Sequence, residues 1–531
     1  MSARPLPAWV AEFAREVRGV RQAPGGIALS GYSAGGIGGQ AACVFSPSGA
    51  TLDQWTESVA VAVGWCRRHG VEYFPVGSAS NAVLGDVDGV LMVIGPAGPR
   101  PPVEFAGTLV AADTGIPFAE LARTCSVQCL SGIEFGLGMP GTLGGAIATN
   151  AYSEIVDVEA TRDAGSAVPN RLLLLDGLYP RTVTRQSMAR VVDEVTIVNN
   201  QGDVQALPAA ELGYLEPHWS AFLSGELGAA VAVSARLQLL SRSAADVERF
   251  IATYATTRKV DEQPTGQAIG SVFVNSGYPR GEGADALTDH EAWFTDADEL
   301  IVHAFADQVQ RHEPLREGGI SCNLACPCFF ANDGTGTLDD VLRLLERIHA
   351  QVLAASGVSL VSGLRFIPES LAPAWARKPP QEYRQWRYRL YQRMGTDAIR
   401  EDPTLALQYI EKALDFSPGA PVALFNRALA FACMDKWREA GQALAEVRPA
   451  DGALAAGKAL LGAQAAHSLG DYEEAVTQYE AFLASEFFAP DAENAALADA
   501  VRALADAAHR HQPLTLDTAH PFHPSKIDLS D

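Results

Sequence analysis

The sequence predicts an α+β protein that ends in an all-helical array, and three observations carry the prediction. Up to about residue 370, β-branched runs such as Val90-Leu91-Met92-Val93-Ile94 alternate with glycine-rich turns and occasional helical stretches, the pattern of strands closed by tight loops. Leu371 to about residue 395 is rich in proline and arginine, as a linker between domains is. Beyond it Ala, Leu and Glu recur at helical spacing, with Ala406, Ala440 and Ala475 standing 34 and then 35 residues apart. At 531 residues, 48% of them hydrophobic, the chain can bury several cores and is expected to form two to four domains.

Taken in order, the first element is helix-like, Trp9-Val10-Ala11-Glu12-Phe13-Ala14-Arg15-Glu16-Val17, followed by the loop Gln22-Ala23-Pro24-Gly25-Gly26. Gly31-Tyr32-Ser33-Ala34-Gly35 then has the Gly-x-Ser-x-Gly form on which α/β-hydrolases mount a nucleophilic serine. That elbow needs an assembled sheet and an oxyanion loop ahead of it. The thirty preceding residues hold room for one short strand and no HGGG segment, so Ser33 reads as a loop residue.

Three further segments form a set. Pro75-Val76-Gly77-Ser78-Ala79-Ser80-Asn81 closes an apolar strand, and Ser131-Gly132-Ile133-Glu134-Phe135-Gly136-Leu137-Gly138-Met139-Pro140-Gly141-Thr142-Leu143-Gly144-Gly145-Ala146 runs on to Thr149-Asn150-Ala151. The third is Gln263-Pro264-Thr265-Gly266-Gln267-Ala268-Ile269-Gly270-Ser271-Val272-Phe273-Val274-Asn275. Residues without Cβ atoms let the backbone approach an anion and aim several N–H groups at it, while Ser, Thr and Asn add neutral donors. The first two segments therefore suit a diphosphate cradle that needs no lysine or arginine. Neither has the G-x-G-x-x-G spacing of a nicotinamide βαβ site.

In the C-terminal array, Trp437 and Tyr472 each stand three residues before their alanine. The period resembles tetratricopeptide repeats, in which small residues let paired helices approach and aromatics fill the gaps between pairs. The match covers about residues 396–485, and a helix from Asn494 to Arg510 would suit a polar cap. Such stacks commonly bind a peptide or protein, which is the partner expected for this part.

A net charge of −23 and a pI of about 4.9 offer no general attraction to phosphate backbones or anionic membranes. No nucleic acid or membrane partner is expected, and no apolar run approaches bilayer length. The eight cysteines are sparse and irregular, with no charged-then-apolar leader at the N-terminus, which points to a reducing cytoplasm. Cys322, Cys326 and Cys328 lack paired CxxC spacing and histidine partners, so no metal site is expected.

Together the three glycine-rich segments resemble the UDP-N-acetylenolpyruvoylglucosamine reductase (UDP-N-acetylmuramate dehydrogenase) family, flavoproteins with the two-subdomain, vanillyl-alcohol-oxidase-type (PCMH-type) FAD-binding fold. The family pattern G-x-G-S-N is similar to residues 77–81, and S-G-x-E-x-x-x-G-I-P-G-x-x-G-G-A-x-x-x-N-A is met nearly throughout by residues 131–151. R-x-x-x-x-Q-P-x-x-x-x-x-G-S-x-F-x-N is matched by Arg258, Gln263, Pro264, Gly270, Ser271, Phe273 and Asn275. A late I-S-x-x-x-x-x-F-x-x-N-x-G segment resembles Ile320-Ser321 with Phe329 to Gly334. The resemblance spans about residues 28–368.

It implies an N-terminal extension (1–27), an FAD-binding domain in two subdomains (28–237), an α+β substrate domain (238–370), a linker (371–395), helical repeats (396–512) and a tail (513–531). Noncovalent FAD would be held by Gly77, Ser78, Ala79, Ser80, Asn81, Gly138, Pro140, Gly141, Thr142, Gly144, Gly145, Ala146 and Asn150. NADPH is the implied electron donor. Ser271 falls at the family's proton donor, Tyr214 at a tyrosine of the same pocket, and Asn275 and Asn323 at substrate-binding positions.

The chain also departs from the family. The arginine of Y-R-x-S is Leu215, the lysine of F-K-N is Val274, and the glutamate of L-x-P-E-V-R is Gly363 within Leu360-Val361-Ser362-Gly363-Leu364-Arg365. Glu369 lies six residues on, about 20 Å along an extended chain and beyond Pro368, out of reach of that point. Two of the three catalytic positions, the arginine and the glutamate that hold the carboxylate, are vacant, so the expectation is an FAD-dependent oxidoreductase of altered small-molecule substrate, with specialised metabolism as one candidate setting. The alternatives are a true UDP-N-acetylmuramate dehydrogenase in which Arg365 or His218 replaces the missing pair, and a non-catalytic flavin-binding adaptor.

Overall fold

The helix-like N-terminal stretch folds as Ala8–Glu16 and buries Val10 and Phe13. It lies against the long helix Leu52–His69, whose Trp65 meets the Phe13 ring at 4.8 Å and donates its indole N–H to Glu16 (3.1 Å). That long helix has clear local causes. Thr51 caps it by accepting from the Gln54 N–H, Trp55, Val59, Ala62, Val63 and Cys66 recur on one face, and Gly70 ends it at φ +63°. The apolar face covers a sheet in which Gln40–Phe45 and Tyr73–Val76 both run parallel to the central Val87–Val93. Trp55 is fully buried there, and its truncation to alanine would cost about 3–5 kcal/mol.

The computed structural model describes residues 6–95, 99–155, 184–214, 220–260, 266–274, 278–279, 294–295, 297–377, 381–400, 402–449, 452–485, 495–514, 516 and 524. Two units divide the chain, Met1–Pro380 and Gln381–Asp531.

In the first unit a second sheet is wholly antiparallel, in the order Val204–Pro208, Val192–Val198, Val231–Gln238, Leu109–Asp113, Glu104–Ala106. Its core takes Phe118 and Leu121 from the helix Phe118–Val127 and Leu143 and Ile147 from the short helix Leu143–Ala148. A third sheet, Ala268–Gly270, Phe329–Asn332, Ile320–Cys322, Leu315–Glu317, is again antiparallel. The helix Leu338–Ser356 backs it, started by a capping box between Thr337 and Asp340 and ended at Gly357. After that helix the chain returns to the first glycine-rich loop, because Arg365–Ile367 pairs parallel with Ala82–Leu84. This return ties residues 271–273 and 363–365 to the loop at 77–81.

The second unit is a succession of helices, Gln381–Ala398, Pro403–Phe416, Pro421–Cys433, Trp437–Glu446, Gly452–Ser468, Tyr472–Leu483 and Ala495–His509. Each packs on the next in sequence among the first six. Ala406, Ala440 and Ala475, the three periodic alanines, are completely buried, as close helix approach requires. The last helix buries Ala498, Val501 and Ala508 beside Ala463 and Tyr479, and Tyr472 stacks on His511 at 4.8 Å. The stretch read as a linker to residue 395 is helical from Gln381. Its arginines hide an apolar stripe, Leu390, Tyr391 and Met394, that is buried. Among the described residues no helix is long and apolar enough to cross a membrane.

Candidate active site

The loop at residues 77–81 joins the strands Tyr73–Val76 and Ala82–Leu84. It meets the second glycine-rich segment so closely that side chains are excluded. A Cβ on Gly77 would fall 2.2 Å from Thr142 Oγ1, and one on Gly141, at φ +124°, would fall 3.0 Å from Ser80 Oγ. Ala79 holds φ +45°, a left-handed conformation in which successive N–H groups turn toward one side. Among the described residues, the main-chain N–H groups of Gly77, Ser78, Ala79, Ser80, Asn81, Gly138, Gly141 and Thr142 donate to no acceptor. Backbone donors are rarely left without partners away from water. This concentration of them, with no lysine or arginine in either segment, fits the diphosphate of a bound dinucleotide.

Other predicted positions serve the frame. Gly144 packs against Thr114, where a Cβ would be 3.0 Å from the Thr114 Cβ, and its N–H donates to the Thr114 carbonyl (2.8 Å). Gly145 has open space apart from Thr142 Oγ1 at 3.7 Å, and its N–H caps onto that hydroxyl at 3.3 Å. Ala146 belongs to the core of the second sheet. Asn150 is completely buried at φ +45°, with Oδ1 accepting from the Ala189 N–H (3.0 Å). Pro140 and Gly138 are exposed.

The GYSAGG stretch forms a third wall. Ser33 follows the 3₁₀ turn Leu29–Tyr32, which separates it from the two-residue strand Ile27–Ala28, and no helix leaves it, so it is no nucleophile elbow. The Ala34 N–H donates to the Ser78 carbonyl (2.9 Å), and Asn332 Nδ2 donates to the Gly35 carbonyl (2.8 Å). Gly35 is pressed on Ile269, where a Cβ would be 2.5 Å from Cγ1. Sequence reasoning saw this loop but not its partners, of which Ile269 and Asn332 lie more than two hundred residues away.

Ser271 sits at the rim of these loops. Asn81 Nδ2 donates to the Ser271 carbonyl (2.8 Å), and the Gly270 N–H donates to the Ser80 carbonyl (3.2 Å). The serine is half-buried and its hydroxyl has no hydrogen-bond partner among the described residues. Directly behind it lies Gly363, whose N–H donates to the Val272 carbonyl (3.0 Å). A Cβ there would fall 2.7 Å from the Ser271 carbonyl oxygen and 3.1 Å from the Phe273 carbonyl carbon. Position 363 is closed to any side chain.

Arg365 is exposed, and the protein packed around it lowers its pKa by desolvation. Its Nη1 donates to the Pro75 carbonyl (2.9 Å). Phe273 stacks on Trp375 (6.3 Å), and Trp375 in turn lies flat on His349 at 4.0 Å.

Tyr214 is placed in the core of the second sheet, and burial pushes its hydroxyl pKa far up. Asn275, Leu215, His218, Gln263 and Pro264 lie outside the described residues. Asn323 is exposed, with Oδ1 accepting from the Ala325 N–H (3.0 Å), and it lines a cleft of about 230 Å³ with Arg316 and Ser321. Ser321 was read only as part of the late Ile-Ser segment and Arg316 was missed, because a polar residue on a short strand means little until pairing is known. Among the described residues no group of His, Cys, Asp and Glu could hold a metal ion. Cys322 instead gives its thiol to the Pro327 carbonyl (3.3 Å).

Comparisons with known proteins agree with this geometry. A family described as FAD binding domain matches residues 54–163, a span that holds both cradle loops. The UDP-N-acetylenolpyruvoylglucosamine reductase of Heliobacterium modesticaldum is 26% identical over 307 residues, 57% of this chain and 80% of that protein. The reductase of Anaeromyxobacter dehalogenans is 29% identical over 385 residues, 68% of this chain and 92% of its own length. Among solved structures, the Thermus caldophilus UDP-N-acetylenolpyruvylglucosamine reductase is 20% identical, covering 64% of this chain and 97% of that one at a TM-score of 0.42. The 6-hydroxy-D-nicotine oxidase of Arthrobacter nicotinovorans is 12% identical, covering 73% and 96% at 0.35. The chain thus carries an FAD-binding domain and is similar, over more than half of its length, to these reductases.

Proposed function

We propose that this protein is an FAD-dependent oxidoreductase acting on a small molecule other than UDP-N-acetylenolpyruvoylglucosamine. The observation that carries the altered substrate is the closure of position 363. Where the resemblance places a glutamate beside the substrate carboxylate, the Ser271–Phe273 main chain occupies the space a side chain would need. An acidic group cannot be regained there without moving the serine.

The free N–H groups of residues 77–81 and of Gly138, Gly141 and Thr142 hold the cofactor diphosphate through uncharged donors, with attachment noncovalent. Bound FAD supplies hydride acceptance and donation at its isoalloxazine, and NADPH is the proposed donor. Ser271 is the proposed proton donor. Its carbonyl is fixed by Asn81, a cradle residue, so the serine and the loop that binds the cofactor move as one piece. Such preorganisation matters because donors fixed before reaction need no rearrangement as charge develops. Tyr214 supports the floor of the FAD-binding domain from its core. The helical array is proposed to carry a peptide or protein partner, and the protein to work in the cytoplasm.

The test is a visible spectrum of purified protein, anaerobic reduction by NADPH, and an assay with UDP-N-acetylenolpyruvoylglucosamine. A yellow protein that NADPH bleaches but that does not turn over this substrate supports the reading. Turnover at the rate of a dedicated reductase contradicts it, and a flavin inert to every reductant favours the adaptor.

A further inference from the structure

Among the described residues, the third sheet has one closed face and one open face. Leu315, Cys322, Phe330 and Ile269 stand in register across its four strands and all are buried. Because side chains alternate along a strand, the neighbouring row Arg316, Ser321 and Ala331 lies on the opposite face. Phe329, opposite Gly270, extends that face toward Ser271. A Cβ on Gly270 would fall 2.3 Å from the Phe329 ring, so the ring rests on the glycine that precedes the serine. With Asn323 and Cys326 these residues enclose the cleft of about 230 Å³.

Resting on the flavoenzyme reading above, we propose that this cleft is the substrate pocket and that it takes a small monoanion with a flat apolar body, an aromatic or unsaturated carboxylate, in place of a nucleoside diphosphate sugar. Arg316 is the cation of the lining and makes no ion pair among the described residues. Of the acids near it, one is held in hydrogen bonds and one in another ion pair, although the Arg316 charge acts on Asp333 and, after the hydrogen bonds from Thr335, helps to lower its pKa. Asp333 accepts from the Thr335 N–H (2.9 Å) and hydroxyl (2.6 Å), and Glu317 pairs with Arg347 at 3.2 Å. A planar guanidinium matches one carboxylate through two parallel hydrogen bonds. Ser321 adds a neutral hydroxyl, and Phe329 offers an apolar surface for a flat ring or double bond. A diphosphate brings more negative charge than one arginine can answer, and unpaired charge is costly to remove from water. The volume argues the same way, since pockets for drug-sized ligands run to about 300–1,000 Å³.

The experiment is calorimetric titration of the yellow holoprotein with benzoate and, separately, with UDP, for the wild type and for Arg316→Met. The proposal expects saturable benzoate binding that perturbs the flavin spectrum, no UDP binding, and benzoate affinity about 10- to 100-fold weaker in Arg316→Met. Arg316 is exposed, so the variant folds, and Arg316→Lys should retain part of the affinity. Unchanged benzoate binding in Arg316→Met, absence of benzoate binding to yellow protein, or displacement of benzoate by UDP would each overturn it. A colourless protein that FAD cannot restore overturns instead the flavoenzyme reading on which it rests.

Discussion

The two ends of the site have been kept in different ways. At residues 77–81 and 131–151 the glycine pattern survives nearly whole, and the loops meet at distances that admit no Cβ. Beside Ser271, position 363 is filled by main chain, which leaves no room for the glutamate that the resemblance would place there. The difference follows from what each end uses to bind. A cradle of N–H groups depends on backbone path, which tolerates most sequence change except at its glycines. A reaction centre depends on individual side chains, each replaceable by one substitution.

The sharpest way to break this contrast is to attack the cradle. Gly77→Val would drive a branched side chain into Thr142, and at the ~1–3 kcal/mol usual for overpacking flavin affinity falls by about 10- to 100-fold. The measurement is flavin absorbance per protein after gel filtration, and full retention would show that the loops do not grip the cofactor. Next comes the reaction end. Gly363→Glu restores the family residue but collides with the Ser271 carbonyl, so a loss of about 1–3 kcal/mol in stability is expected, with no gain of UDP-N-acetylenolpyruvoylglucosamine turnover. Denaturant midpoints and the assay check both halves, and a stable, active variant would refute the closure.

Asn81→Ala tests the link between the two ends. It leaves the Ser271 carbonyl without its side-chain donor, at a cost of about 1 kcal/mol, with flavin retained and substrate reduction slowed. Equal loss of flavin and activity would mean that Asn81 only builds the cradle.

The smallest effect concerns pH. Burial lowers the pKa of His349, whose ring stacks on Trp375, so the unfolded chain takes up this proton more readily than the folded one. Its stabilising contribution is therefore complete above the ordinary histidine value of about 6.5 and is lost as pH falls through the lower folded value. Denaturant midpoints between neutral and mildly acidic pH should fall more steeply in the wild type than in His349→Phe, and parallel slopes would remove His349 from the account.

How much was legible depended on how local each signal was. The cradle could be read because its glycines are close in sequence and their spacing follows from the contact they permit. The wall made by Gly35, Ile269 and Asn332 could not, since three distant segments must fold before those residues meet. Arg316 looked like ordinary strand polarity, and only pairing put it on one face with Ser321 of the late Ile-Ser segment. Tyr214 was read into the pocket from a motif, and the structure gives it a core position among Val195, Leu237 and Tyr254, where a large half-apolar ring gains most from burial. The helix Gln381–Ala398 was hidden by its arginines, whose charge masks an apolar stripe of only a few residues.

The flavin content of protein purified from flavin-replete cells bears most directly on the claim that uncharged backbone donors bind the cofactor. One FAD per chain, released intact by denaturation, is the predicted result. A colourless protein that takes up no FAD on reconstitution would contradict it.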